Sequence, residues 1–306
     1  MSSYEKIKIR SNIERSNKLK RKVSKFALIL TLIFSIVLIG CNTNSSNNVS
    51  NPSSSSKENL TVHFIDVGQG DSILVQFQNK NLLIDAGPRS SSDDLMKYLK
   101  KVGIKKLDYV VATHPHEDHI GGMPDVIKAF DIGEFYAPKK QATTKIFESM
   151  ITELKKKDLK IHVAKAGVTL DLAQGLDIKM VAPNSDNYED VNDYSAVIKL
   201  SYKDTAFLFT GDAEKLSEKE ILQKGYDLKA DVLKLGHHGS STSSSKEFLD
   251  KVNPKYAIAS LGKDNDYGHP HKETIDAMKK RNITFYRTDK EGTVVLVSDG
   301  KNISKK

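Results

Sequence analysis

Tryptophan is absent from the 306 residues and cysteine occurs once, at Cys41. A lone cysteine excludes an internal disulfide framework, so the fold rests on burial and hydrogen bonding. Long apolar runs are also lacking. The longest, Phe26 to Ile39, is broken by Thr31 and Ser35, and its roughly fourteen residues fall short of the roughly 20 that span a bilayer comfortably. A multi-span membrane protein is therefore excluded. An excess of basic charge is missing where it would matter: of the formal +8, residues 1–40 supply nine Lys or Arg and two Glu, leaving 38 basic against 37 acidic side chains. Such a near-neutral body has no general electrostatic pull on a polyanion. With 38% apolar residues, eleven Phe and eleven Tyr, it does have the material for a sizeable core.

Lys18, Lys20, Arg21, Lys22 and Lys25 precede the apolar run, the order of a positive segment and the hydrophobic segment of an export signal. The run ends in Leu38-Ile39-Gly40-Cys41. A small residue directly before the only cysteine resembles a bacterial lipoprotein signal, which implies cleavage before Cys41 and lipid on its thiol. An uncleaved N-terminal anchor is the alternative. Asn42 to Asn59 is dominated by Ser and Asn and has no apolar periodicity, so it reads as a tether. The chain thus divides into a signal over 1–40, a tether over 41–60 and one folded body over 61–306, held by lipid at the outer face of the cell membrane and read as monomeric.

In the body, Thr61 to Val67, Ser72 to Phe77, Asn81 to Ile84 and Leu107 to Thr113 read as strands, with Asp94 to Lys101 a helix between them. Thr144 to Lys157 has helical spacing. The second half repeats the mixture. Thr169 to Leu172 and Asp177 to Ala182 read as strands, and Ser195 to Tyr202 and Thr205 to Thr210 form a hairpin about Lys203-Asp204. Helices follow at Glu214 to Lys224, Lys246 to Val252 and His271 to Lys280. Two strand-rich halves, each with its own helices, imply two sheets packed face to face with helices outside.

Seven of the nine histidines fall in three short segments at or soon after predicted strand ends. The densest is Thr113-His114-Pro115-His116-Glu117-Asp118-His119. Imidazole and carboxylate are the donors that borderline divalent metals take. His114 and His116, two apart on extended backbone, point toward one metal, while Asp118 and His119 reach a second from the start of a helix. Asp212 follows the strand Thr205 to Phe209 and the pivot Thr210-Gly211, so its carboxylate emerges at a sheet end; taken alone it also suits a helix N-cap. His63 reads as a strand residue on the solvent face, His162 as a packing residue and His271 as ordinary surface.

The 114–119 segment resembles the metal-binding motif of the metallo-β-lactamase superfamily. Further segments, Phe64 to Ser72, Leu83 to Gly87, Phe209 to Asp212, Lys234 to Ser240 and Tyr267 to Pro270, are similar to the soluble domain of bacterial competence DNA-uptake channels. The resemblance implies a four-layer αββα sandwich of two mixed sheets and two divalent ions, zinc or manganese. His114 and His116 would hold the first, Asp118 and His119 the second, with Asp212 bridging and His237 completing the second. His238 would assist or pack beneath it. His269 would ligate metal or contact the scissile phosphate. Where many relatives place a third histidine on the first metal, this chain matches Asn192 and Ser195, which makes manganese a rival to zinc. Asp66 and Asp71 are expected to order turns beneath the site, and Asp85 to accept a hydrogen bond from a ligating histidine.

The function implied is a metal-dependent phosphodiesterase that acidifies water for attack on phosphorus, most concretely a DNase. Asp118, Asp212 and His269 would carry catalysis. Lys139, Lys140, Lys145 and Lys155 to Lys157 are candidates for a local basic groove, and the serine run Ser240 to Ser245 for a flexible rim. The alternatives are hydrolysis of cell-wall phosphocholine or teichoic acid esters, hydrolysis of a lactone, and a non-catalytic surface lipoprotein.

Overall fold

The computed structural model describes residues 58–306; the signal, Cys41 and all but the end of the tether lie outside the described residues. The body is built on strands in which alternate side chains face opposite layers. In β1 (Leu60–Phe64), β2 (Ile73–Phe77) and β3 (Lys80–Ile84), Val62, Phe64, Ile73, Val75 and Ile84 face one way, while Leu74 and Leu83 face the other. β4 (Lys106–Val111), β5 (Asp131–Ala137) and β6 (Ile161–Val163) extend this sheet, and β13 (Val294–Ser298) and β14 (Ile303–Lys305) close its other side, in the order β14-β13-β1-β2-β3-β4-β5-β6.

A second sheet has the order β12-β11-β10-β9-β8-β7, from β7 (Leu176–Ala182), β8 (Val197–Tyr202), β9 (Thr205–Phe209), β10 (Val232–Lys234), β11 (Tyr256–Ala259) and β12 (Thr284–Arg287). Phe207 and Phe209 face the first sheet, and Leu208 faces outward to helices. Each sheet is mixed: β3 to β6 and β9 to β12 run parallel, and the remaining pairs are antiparallel.

Helices cover both outer faces, because strands apolar on both sides need both covered. Over the first sheet lie α1 (Ser92–Lys101), α2 (Glu117–Ile120), α3 (Met123–Ala129) and α4 (Lys145–Lys156). In α4 the spacing of Ile146, Met150 and Leu154 gives one buried stripe, and Thr144 caps its start by accepting from the Phe147 N–H at 3.3 Å. Over the second sheet lie α5 (Lys215–Gln223), α6 (Lys246–Val252) and α7 (Lys272–Lys280), with α8 (Thr288–Glu291) after β12. The result is the expected αββα sandwich.

This arrangement sends the carboxyl ends of β3, β4, β9, β10 and β11 to one rim, the place where open α/β sheets carry their ligand sites. The hairpin about Lys203-Asp204 forms as expected, with Tyr202 opposite Thr205. Thr169 to Leu172 does not become a strand; Thr169 makes a single bridge to Lys179.

His63 departs from its expected solvent position. α1 lies across it, so the ring is buried and its Nδ1 meets the Tyr98 hydroxyl at 2.8 Å. Burial lowers its pKa from the usual 6.5 to about 4, against an opposing hydrogen bond from Gln76. The unfolded chain therefore takes up this proton first. The stability tied to neutral His63 is complete above pH 6.5 and is lost as pH falls toward 4. Urea unfolding at pH 7 and pH 4.5 should show the parent protein losing about 2–3 kcal/mol more than His63→Gln across that interval; equal losses would assign the effect to other groups.

Candidate metal centre

Segments that follow strands of both sheets meet at the rim. After β4, Thr113 donates its N–H and hydroxyl to the buried Asp85 carboxylate at 2.7 and 2.6 Å. His114 follows, and His116 sits at the N-cap of α2 in extended conformation. α2 then returns His119 beneath them, where its Nδ1 meets Asp85 Oδ2 at 2.7 Å. Gly70 makes this possible, since a Cβ there would lie 2.2 Å from the Asp118 carbonyl oxygen. From the second sheet Gly211, at φ +51, packs so close to Thr113 and Ser195 that a Cβ there would lie 3.0 and 3.2 Å from them, and Asp212 follows it into the site. The Asp212 N–H donates to Ser195 Oγ at 3.1 Å. Asp212 is no helix cap; Glu214 takes that place on α5.

A common pattern fixes the imidazoles. His119 is tied through Nδ1 to Asp85, His238 through Nδ1 to the Ser260 carbonyl at 2.9 Å, and His237 through Nδ1 to Glu214 Oε1 at 2.9 Å. His114 Nδ1 lies 3.1 Å from Thr113 Oγ1 and 3.3 Å from Ser195 Oγ. These four rings are thus held on their outer nitrogens, which turns Nε2 inward. Asp212 Oδ2 stands 3.2 Å from His119 Nε2, 3.4 Å from His238 Nε2, 3.8 Å from His237 Nε2 and 3.9 Å from His114 Nε2. Asp118 Oδ2 lies 3.1 Å from His238 Nε2 and 3.9 Å from His119 Nε2, and His116 Nδ1 lies 3.1 Å from His114 Nε2.

These donors fit divalent metal. They are imidazoles and carboxylates, most are buried, and His119 Nε2 and Asp212 Oδ1 have no hydrogen-bond partner in the protein. Asp71, His119, Asp212 and His238 bring ligand atoms within 4.8 Å of one another. Asp71 approaches from behind, however: its Oδ1 is 3.4 Å from His238 Nδ1, and its Oδ2 is held by Lys234 Nζ at 2.8 Å.

Electrostatics follow from this crowding. Burial opposes charge on His119 and His238, yet Asp212 and the neighbouring carboxylates outweigh it and hold both pKa values well above the ordinary range. Burial likewise opposes charge on Asp212, and His119 and His238 overcome it, holding the carboxyl well below. His114 goes the other way, since burial and the nearby His119 keep it neutral.

The adjacent histidines do not take opposite sides. Opposite orientation applies to extended backbone, but His237 and His238 both occupy the left-handed region, at φ 48 and 55, in a tight turn from Gly236 to Gly239. Both rings reach the same cavity, with His238 buried among the carboxylates and His237 at the rim. Asn192 lines this cavity, and its Oδ1 is buried without a partner. His269 forms part of the wall, with its ring 5.4 Å from that of His237. Asp66 stays on the surface, where it accepts from the Gly68 N–H at 3.1 Å, so only Asp71 lies beneath the site.

Three further expectations change. The serine run is tied down rather than flexible: Ser243 Oγ donates to the Ala213 carbonyl at 2.8 Å, and the Ser244 and Ser245 N–H groups donate to the buried Glu218. His271 is not ordinary surface, since its Nδ1 accepts from the Ser241 N–H at 2.9 Å. Lys139, Lys140 and Lys155 line a separate groove with Phe147, Ile161 and Val163.

Glu214 and Lys234 were not singled out from the sequence. Glu214 looks like a helix-start acid until Asp212 and His237 are known to be neighbours. Lys234 did leave a signal, a lysine two residues after Val232 in an otherwise apolar strand and so facing the core. Removing it takes from the buried Asp71 its closest counter-charge and leaves His238 at 3.4 Å. Lys234→Met is expected to lower the unfolding free energy of metal-free protein by about 3–5 kcal/mol, with part recovered on adding Asp71→Asn. Chemical denaturation checks both, and a loss under 1 kcal/mol would make the pair a solvent-screened contact.

The family model for the metallo-beta-lactamase superfamily matches residues 65–263. The chain is 32% identical over 251 residues to ComE operon protein 3 of Bacillus subtilis, covering 76% of this chain and 32% of that one. It is 33% identical over 231 residues to competence protein ComA of Neisseria gonorrhoeae, covering 75% and 31%. It therefore spans about a third of the length of these relatives. Among solved structures, Igni18, a metallo hydrolase from Ignicoccus hospitalis, shares the fold at TM-score 0.51 and 20% identity, over 77% of this chain and 98% of that one. The converging histidines and aspartates and the matched family agree: the chain belongs to the metallo-β-lactamase superfamily and is a metal-dependent hydrolase.

Proposed function

We propose that the protein is a phosphodiesterase acting on DNA, tethered outside the cell through lipid on Cys41 and working as a monomer. The observation that carries the chemistry is the position of Asp212 Oδ2 within 4 Å of four inward-turned imidazole nitrogens. In this reading His114, His116 and Asp212 hold one ion, and Asp118, His119, His238 and Asp212 hold a second, zinc or manganese. Bound cations supply Lewis acidity at the ester and lower the pKa of a water molecule.

The remaining work falls to the chain. Glu214 holds His237 so that Nε2 faces the cavity, where it meets a substrate oxygen. Asn192 offers an amide beside it. Burial and the neighbouring His238 and His237 lower the pKa of His269 to about 4. At neutral pH it therefore exchanges hydrogen bonds with a leaving oxygen without bearing charge. Asp118, 30% exposed at its side chain, presents the open edge of the donor set to the cavity of about 320 Å3.

A nucleic-acid phosphodiester is supported by a 74-residue match, 34% identical, to ribonuclease J of Mycoplasma pneumoniae, and the choice of DNA by similarity to the competence proteins. A second reading, hydrolysis of a small cell-wall phosphodiester or a lactone, is favoured by one feature: the residues lining the cavity include no Lys or Arg.

Parallel assays with DNA, bis-p-nitrophenyl phosphate, a phosphocholine ester and a lactone, with zinc or manganese added separately, distinguish these readings. Cleavage of the two phosphodiesters is expected, with loss on chelation and in Asp212→Asn and His116→Ala while circular dichroism stays native. Glu214→Gln, which keeps His237 but loosens it, is expected to lower kcat/KM about 10- to 100-fold. Full activity in Asp212→Asn, or turnover of the lactone alone, would refute the proposal.

A further inference from the structure

Tyr267 is 65% exposed, the most exposed large apolar or aromatic side chain among the described residues, and it stands at the mouth of the metal cavity. Its ring lies nearly parallel to that of His269, 22° apart with centroids at 5.6 Å. His269 in turn lies 6.2 Å from His238 and is 8% exposed. A line of flat rings therefore runs from the buried donor set outward, and its outermost member is largely bare.

The loop carrying this line is held on several sides. Asn265 Nδ2 donates to the carbonyls of Gly262 and His269 at 3.0 and 2.8 Å, and its Oδ1 accepts from the His269 N–H at 3.0 Å. The Gly262 N–H donates to Gln69 Oε1 at 3.2 Å, and the Tyr267 carbonyl faces His271 Nε2 at 3.2 Å. A loop held in this way loses little backbone freedom when something settles on its ring. The cavity is polar and its lining includes no Lys or Arg to follow a phosphate backbone, so affinity for an extended substrate has to come from contacts beyond the reacting group.

We propose that Tyr267, backed by His269, is a stacking subsite for one unpaired nucleobase beside the reacting phosphate, which makes single-stranded DNA the preferred substrate. This rests on the phosphodiesterase reading. Every base offers a π-face, so the subsite accepts any of the four. A base within a duplex is already stacked on both faces and cannot use it.

The test measures both binding and cleavage on the full chain. One strand carries all its bases, a matched strand carries a run of abasic residues, and a second pair of the same design has a phosphorothioate backbone that resists cleavage. The parent protein is expected to favour the base-bearing strand by about tenfold in kcat/KM, mainly through KM, and by a similar factor in anisotropy titrations of the resistant strands. In Tyr267→Ala the preference falls to about one, Tyr267→Phe keeps it, and a blunt duplex shows no dependence on Tyr267. An unchanged preference in Tyr267→Ala, or its loss in Tyr267→Phe, overturns the subsite. If the parent protein binds with the preference but cleaves neither DNA nor bis-p-nitrophenyl phosphate, the subsite stands and the phosphodiesterase reading fails.

Discussion

A single buried carboxylate sets the terms for the rest of the molecule. Asp212 comes from the second sheet, and His114 and His119, which surround its Oδ2, come from the first. An ionised carboxylate taken out of water costs several kcal/mol unless partners replace its hydration. The two sheets must therefore pack with β4 and β9 ending at the same rim, and the aromatic layer between them, with Phe64 against Phe209 at 6.1 Å, keeps that alignment. Slipping either strand by one residue would turn its inward side chains outward and separate the carboxylate from its imidazoles.

Around this contact lies a hierarchy of support. Asp85 steadies His119 and the Thr113 backbone, Asp71 with Lys234 backs His238, and Glu214 steadies His237. Each outer group holds the far nitrogen of a ring, so the near nitrogen has one orientation. Such an arrangement charges the site before any metal arrives: His119 and His238 are held protonated by the carboxylates, so metal binding must displace those protons. Protons therefore begin to compete with metal at a higher pH than they would for free imidazole.

Much of this was legible in the sequence where chemistry and periodicity agreed. The cluster from His114 to His119 and the position of Asp212 after an apolar strand located the site, and the two strand-rich halves gave the sandwich. What escaped depended on backbone geometry or on neighbours distant in the chain. Nothing local announces that His237 and His238 adopt successive left-handed conformations, which bring both rings to one cavity. His63 sat in an alternating strand and read as exposed because the covering helix α1 is a tertiary fact. Glu214 and Glu218 read as acids at the start of a helix; only the folded chain brings His237 and the serine loop to them. Lys234 alone carried a warning, a charge in register with core residues.

The direction in which the chain enters the sandwich has a practical consequence. Tyr202, at the hairpin end of β8, donates its hydroxyl to the Glu58 carbonyl at 2.7 Å, so residue 58 lies beside the Lys203-Asp204 turn, across the full length of the strands from Asp212. The Asp204 N–H also donates to the Gly300 carbonyl at 2.8 Å, which brings the β13–β14 turn to that same end. A support coupled upstream of Leu60 therefore grips the molecule by its heel. The attachment point and the open cavity thus occupy opposite ends of the strands.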